Sequence, residues 1–443
     1  MSRGATSAAA GQTAVAQITD LDHDGRGVAH VDGKVVFIDG ALPGERVEWQ
    51  RTRRKRSFDE GRLVAVLEPS SHRVEPRCPH FGVCGGCVLQ HLAVEQQIAF
   101  KERQLLDALA RIGQVVPRTV LPPLRGPVWN YRRRARLGAR WVGPKNKTVV
   151  GFRERSSSFV ADLRECHTLA EPIGRLIEPL SKLLSGLSIR AHVPQIEVAV
   201  GDQVSALVFR IMKELTPADR EALEAFQRAH GVEIYLQPGG YDTVAPLMAP
   251  ATPLEYRLPH FDVQVRFAPT DFIQINGELN ARMVERAVEH LEPNADDHIL
   301  ELFCGLGNFS LPLARRGARV IAVEGEAGLV ARARENARRN GLANIDFHVA
   351  DLSNPEFRDS PWARAQYDKV LLDPPRAGAR EALALIDAVG AKQVVYVSCH
   401  PGTLARDAGI LVHEHGFQLE AAGVMDMFPH TAHVESIAVF RRQ

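Results

Sequence analysis

HILELFCGLGNFS, residues 298–310, is the stretch on which the fold turns. HILELF is a short, mostly apolar run, as expected of a strand buried on both faces of a sheet. It breaks at Gly305 and Gly307, and a helix follows. Glycines there let the backbone turn tightly and approach a ligand. The third glycine of the dinucleotide fingerprint is missing, because Phe309 and Ser310 stand in its place, and this counts against NAD. The next apolar run, VIAVEG, ends in Glu324, nineteen residues after Gly305. An acid at that place can accept hydrogen bonds from both ribose hydroxyls. With a ribose acid but no pyrophosphate grip, S-adenosylmethionine fits better than NAD.

The pattern continues downstream. FHVADL, ending near Asp351, reads as a third strand whose acid could face an adenine. KVLLDPPRAG (369–378) and VVYVSC (394–399) read as further buried strands. RMVERAVEHL and LVARARENARRNG are amphipathic helices between them. Alternating strands and helices argue a doubly wound parallel sheet. In such sheets ligands bind at the carboxyl ends of the strands, where Asp373 and Cys399 fall. Two prolines after Asp373 hold the backbone extended. Adenine-modifying amino-methyltransferases carry an aromatic after those prolines; this chain carries Arg376, a phosphate or base-edge donor. RNA cytosine-5 methyltransferases place a cysteine in that motif, and here the candidate thiol, Cys399, comes one strand later.

That thiol suggests a chemistry. Carbon 5 of uracil is too weak a nucleophile to take a methyl from a sulfonium unaided. A thiolate adding to carbon 6 makes carbon 5 enolate-like, so one hard step becomes two easier ones. A base must then remove the carbon-5 proton. Glu435, in HTAHVESIAVF just before a final strand, is the candidate, its apolar neighbours favouring a burial-tuned acid.

The amino-terminal half reads differently. Residues 12–68 are short β-rich runs cut by Asp-Gly and Pro-Gly turns. RTRRKR, residues 51–56, has five basic residues in six, a phosphate-reading tip between two strands. EQQIAFKERQLLDALARIG (95–113) predicts a helix, with Ile98, Leu105, Leu106, Leu109 and Ile112 on one face. Residues 128–260 are mostly strand-like. Between Tyr131 and Arg155 there are nine Lys/Arg and one Glu, opened by NYRRRAR, a pattern suited to RNA phosphates and base stacking. CPHFGVCGGC spaces cysteines 78, 84 and 87, and Cys166 is a fourth. Four thiolates can hold a [4Fe-4S] cluster or tetrahedral zinc, and spacing alone leaves both open. The C-x3-C-x2-C pattern of radical enzymes is absent. Cys304 is left over, expected to pack beside the glycine loop.

The net charge of +1 says nothing about partners. No apolar run approaches 18 residues, so no membrane span is expected. MSRGATSAAAGQ lacks an apolar signal core, and a cytoplasmic location is the expectation.

Taken in order, the cysteine set, YRRRAR, FIQIN, ELFCGLGNF, LLDPPRAG, VSCHPGTLARD and FPHTAHVES resemble the bacterial 23S rRNA uracil-5-methyltransferases of the RumA/RlmD type over nearly the whole chain. The resemblance implies an OB-like TRAM β-barrel at 12–68, a central α+β iron–sulfur domain at 69–262 and an α/β Rossmann-like class I methyltransferase domain at 263–443. It implies a [4Fe-4S] cluster on Cys78, Cys84, Cys87 and Cys166, favouring iron over zinc. S-adenosylmethionine contacts are implied at Gln274, Phe303, Asn308, Glu324, Asp351 and Asp373. Cys399 is implied as nucleophile and Glu435 as base, with rRNA held by Arg51, Arg53, Arg54, Lys55 and Arg56 and by Arg132, Arg133, Arg134 and Arg136. DPPR replaces the DPAR of some relatives and SCHP replaces SCNP, and neither removes a reacting group. Having both barrel and cysteines, the chain is most similar to the type that methylates uridine 1939; a monomer is expected. The rival readings are a methyltransferase for another 23S rRNA or tRNA uridine, a cytosine-5 RNA methyltransferase, and a non-enzymatic RNA-binding iron–sulfur protein.

Overall fold

The computed structural model describes residues 13–155 and 157–442. They divide into two compact units, one running up to Lys101 and taking in Pro429–His433, the other made of Glu102–Phe428 and the chain from Val434 on.

The first unit opens with six strands: Thr13–Gln17 (β1), Asp20–Leu21 (β2), Gly27–Val31 (β3), Lys34–Asp39 (β4), Arg46–Arg54 (β5) and Phe58–Glu68 (β6). They form one sheet in the order β1-β5-β6-β4-β3-β2, antiparallel except where β4 meets β6. Alternation along these strands sends Ala16, Ala29, Val36, Ile38, Val47 and Trp49 into a shared core, which Ile18, just past β1, joins. Gly61 on β6 makes room for Trp49, since a Cβ there would lie 2.4 Å from the indole. The basic run sits at the β5–β6 hairpin tip, as expected from the sequence. Residue 12, the first of the expected β unit, lies outside the described residues. From 69 to 93 the chain has neither helix nor strand, and then the helix Val94–Ala108 (α1) begins.

In the second unit, Thr119–Val120 (β7) precedes a sheet built from Arg134–Val142 (β8), Lys147–Gly151 (β9), Gln195–Val200 (β10), Ser205–Arg210 (β11), Val232–Gln237 (β12) and Ala245–Pro246 (β13). Helices Ile177–Gly186 (α2) and Pro217–His230 (α3) accompany it. A hairpin of Leu254–Leu258 (β14) and Val263–Phe267 (β15) leads to helix Gly277–Leu291 (α4). Then come His298–Leu302 (β16), Ser310–Arg315 (α5), Arg319–Glu324 (β17), Ala327–Arg339 (α6), Ile345–Val349 (β18), Lys369–Leu372 (β19), Arg380–Ala388 (α7), Gln393–Ser398 (β20), Pro401–His413 (α8), Gln418–Met425 (β21) and Glu435–Arg441 (β22).

The large sheet has the order β18-β17-β16-β19-β20-β22-β21-β7. Strands β16 to β20 are parallel, and β22 is antiparallel to both its neighbours. The order reverses between β16 and β19, a topological switch point where doubly wound sheets bind ligands. All six residues of β20 are buried, which explains its unbroken apolar pattern. The helix read over 95–113 is α-helical only to Ala108, and Leu109–Gly113 winds into a wider π-turn. There Gly113 lies against α8 so closely that a Cβ would meet the Ala405 carbonyl at 2.4 Å. Among the described residues, no helix is long and apolar enough to cross a membrane.

Candidate active site

Parallel strands end on one edge of the sheet, so residues just past them share that edge. Phe303 follows β16, Glu324 ends β17, Asp351 lies two residues past β18, Asp373 follows β19 and Cys399 follows β20. Glu435 arrives from the opposite direction. It opens β22, whose Ser436 pairs with Ser398, so the glutamate stands beside the strand end that carries the thiol.

The glycine loop is shaped for a ligand. Phe303 has φ 66°, a left-handed conformation costly for a residue with a side chain and concentrated at functional sites. Gly305 and Gly307 follow at φ 54° and 89°, and the space where a Gly305 side chain would stand is open. Glu324 accepts the Gly305 N–H at 3.1 Å through one oxygen and the Glu326 N–H at 3.1 Å through the other. Each oxygen keeps a lone pair for a further donor. Asn308 is locked by its surroundings: its Oδ1 accepts from Tyr256 Oη at 2.9 Å and Asn280 Nδ2 at 3.0 Å, and its Nδ2 donates back to Asn280 at 2.9 Å. One amide hydrogen of Asn308 is left, so it can meet an acceptor only. Gln274 Nε2 reaches Asp373 at 3.5 Å. Asp351 is exposed and holds the Ser353 N–H and hydroxyl, which depresses its proton affinity. Cys304 is buried in the loop, its thiol held protonated by burial.

The reacting end is acidic and poorly solvated. Glu435 is 2% exposed, and burial, then the neighbouring Asp373, hold its proton well above the usual carboxylate range. Burial pushes Asp373 up to about 7. The half-buried Cys399 thiol is raised to about 11, by burial first and then by Glu435 and Asp373, with Arg376 pulling the other way. Burial also raises Glu301, beneath the glycine loop, to about 8. Ser310 donates to one of its oxygens, while the other has no protein partner. A cationic ligand laid among these acids would ionise them by charge attraction. This edge therefore fits S-adenosylmethionine, which carries a positive sulfonium, an acceptor-rich carboxylate and a ribose diol.

Tyr256, Asn280 and Glu301 were not singled out from the sequence. Asn280 had a signal, being a polar residue on the apolar face of α4 between Leu279 and Met283. Tyr256 had none, because it lies 52 residues from its partner.

The basic residues divide. Arg53, Arg54 and Arg56 are exposed at the hairpin tip. Arg51 pairs with Asp59 at 2.8 Å and lies over Trp49, and the Lys55 ammonium stands over Phe58. Arg132 stacks on Phe152 and Arg133 pairs with Asp202 at 2.6 Å. Arg134 is spent internally, on the Val198, Pro269 and Thr270 carbonyls and on Glu197. Arg136 is exposed, bonded to Tyr241 Oη and Glu197.

Cys78, Cys84 and Cys87 share the irregular segment of the first unit, and Cys166 belongs to the second. All four are half-buried. The Gly86 N–H points at Cys84 Sγ at 3.4 Å, the bond a metal-bound thiolate accepts.

Comparison with known proteins gives two family matches. Residues 255–443 match the family described as tRNA (Uracil-5-)-methyltransferase, and residues 8–64 match the TRAM domain. A protein of Xanthomonas axonopodis pv. citri named 23S rRNA (uracil(1939)-C(5))-methyltransferase RlmD is 56% identical over 98% of this chain and 97% of its own. A protein of the same name from Stenotrophomonas maltophilia is 56% identical over 96% and 97%. The crystal structure of Pyrococcus abyssi tRNA (uracil-54, C5)-methyltransferase with S-adenosyl-L-homocysteine superposes with a TM-score of 0.75 at 23% identity, covering 96% of this chain and 99% of that one, a likeness of fold.

Proposed function

The chain belongs to the bacterial 23S rRNA (uracil-5-)-methyltransferases, and we propose that it methylates carbon 5 of one uridine in 23S rRNA, the position numbered 1939 in its named relatives. The observation that carries the reading is the strand-end Cys399 beside the buried Glu435, on the same sheet edge as the glycine loop.

When bound, S-adenosylmethionine supplies an electrophilic methyl group. Glu324 would hold its ribose, and Phe303, Asn308, Gln274, Asp351 and Asp373 its other parts. The target uridine leaves its stack to reach the pocket, as chemistry on a base requires. Cys399 forms the S–C6 bond as a thiolate, and the C5=C6 electron pair moves to carbon 5. Carbon 5 takes the methyl. Glu435, ionised in the loaded complex, takes the carbon-5 proton, the C–H pair restores C5=C6, and Cys399 leaves with its electron pair.

A [4Fe-4S] cluster on Cys78, Cys84, Cys87 and Cys166 belongs to the same reading. It would brace a segment that has no helix or strand of its own. The hairpin tip (Arg51, Arg53, Arg54, Lys55, Arg56), the exposed Arg136 and the partly exposed Arg132 and Arg133 would hold rRNA phosphates. Arg134 serves there as an internal tie. Residues 12–68, 69–262 and 263–443 are the proposed functional divisions.

Mapping 5-methyluridine in rRNA from a deletion strain, before and after complementation, tests the reading. Loss and restoration of the single mark at 1939 is expected. A mark restored elsewhere, or in tRNA, overturns the substrate assignment.

A further inference from the structure

The loop after Asp373 carries Arg376, whose charge, among the described residues, acts on both Cys399 and Glu435. Its backbone is tied down at three points, all from α8. Thr403 Oγ1 donates to the Arg376 carbonyl at 3.2 Å. Arg406 donates to the Ala377 carbonyl at 2.9 Å. Asp407 accepts the Ala379 N–H at 2.8 Å. Thr403, Arg406 and Asp407 are spaced i, i+3, i+4, so one face of the helix makes all three contacts.

Asp407 is fully buried and does more. It accepts the Tyr396 hydroxyl of β20 at 2.7 Å and pairs with Arg406 at 2.7 Å. The loop therefore fastens to the strand that ends at Cys399 and to the helix that begins just after it. Gly378 permits this approach. It sits at φ 83°, and a Cβ there would lie 2.6 Å from both Arg406 and Asp407. A buried carboxylate with this many donors belongs to a rigid junction.

We propose that Thr403, Arg406 and Asp407 are positioning residues, a clamp that holds Arg376 opposite Cys399 and Glu435 and so sets the reactivity of the thiol. The proposal rests on the reading of Cys399 as the reacting thiol and adds the structure that controls it. Among the described residues, the charges that act on that sulfur come from Glu435 on β22, Asp373 just past β19 and Arg376 in the clamped loop. The adjacent His400 caps α8, its ring accepting the Thr403 N–H. Releasing Arg376 removes the positive charge and leaves the two acids.

The test follows alkylation of Cys399 by iodoacetamide against pH in the full-length protein. It needs no RNA and no methyl transfer, so it reports on the clamp even where the uridine assignment fails. Asp407→Asn, nearly isosteric, should move the midpoint to higher pH and lower kcat about tenfold, the loss of one charge-assisted contact. KM for S-adenosylmethionine should stay within about twofold. Thr403→Val, which removes one partly exposed hydroxyl, should shift the midpoint the same way by less, and it carries the test where Asp407→Asn fails to fold. Arg376→Met should give the full shift, and adding Thr403→Val or Asp407→Asn to it should give no more. An unchanged midpoint in the clamp variants, or shifts that add to that of Arg376→Met, would overturn the proposal.

Discussion

At the residue scale, the resting thiol is protonated: Cys399 is raised to about 11, so it is not in its reacting form at neutral pH, and burial shifts Glu435 in the same direction. Cation binding must do the ionising. Alkylation of the free protein at Cys399 should therefore climb about tenfold per pH unit from 7 towards 10. Sinefungin, an analogue with an ammonium near the sulfonium position, should raise the rate at pH 7.5, and neutral S-adenosylhomocysteine should not. Equal rates with both ligands would remove charge as the trigger. Glu301 gives a stability counterpart. Its carboxyl is raised from 4.5 to about 8 in the fold, so its stabilising effect is full below 4.5 and lost as pH climbs to 8. Asp373 adds the same trend up to about 7. The ligand-free protein should lose Tm between pH 5 and 8, and Glu301→Gln should lose less; a parallel decline in the two would show that this carboxyl is not the source.

At the element scale, the hairpin β14–β15 and helix α4 support the glycine loop through Tyr256 and Asn280. Asn280→Ala should weaken S-adenosylmethionine binding about tenfold by freeing Asn308, and Tyr256→Phe by less, with Tm changed little for the latter. Calorimetric titration reads both, and unchanged affinity in each would show that Asn308 needs no such support. This is the scale at which sequence was most and least informative. The parallel strands declare themselves because burial on both faces leaves apolar runs, and their ends predict where Glu324, Asp373 and Cys399 gather. Strands β7 and β21 were not foreseen. Two residues make too short a pattern, and β21 mixes glycine and alanine with one glutamate. The π-turn at Leu109–Gly113 was equally hidden, since the Ala405 backbone that Gly113 packs against lies about 300 residues away. The clamp was half visible: Asp407 closes the VSCHPGTLARD motif, but only the fold shows that it grips the DPPRAG loop.

At the scale of the whole molecule, the proposed RNA grip and the proposed chemistry occupy different parts of the chain. Arg53, Arg54 and Arg56 stand exposed on the hairpin tip, far in sequence from Cys399. Replacing all three with alanine should weaken binding to an rRNA fragment and lower the log–log salt slope by about two, at about 0.7 per lost phosphate contact on single-stranded RNA. Turnover at saturating RNA should persist, and an unaltered slope would remove the tip from the interface. Anaerobically purified protein should carry about four irons and four sulfides, and Cys84→Ser should lose them; zinc in their place would reverse the choice of metal. The strand-end thiol remains the centre of the account. Incubating the enzyme with S-adenosylmethionine and an rRNA fragment bearing 5-fluorouridine at the target tests it most directly, because fluorine cannot leave as a proton does. A stable protein–RNA adduct carrying the transferred methyl is expected, mapped by mass spectrometry to Cys399 and absent in Cys399→Ala. Enzyme that methylates normal RNA yet forms no adduct with the fluorinated one would contradict it.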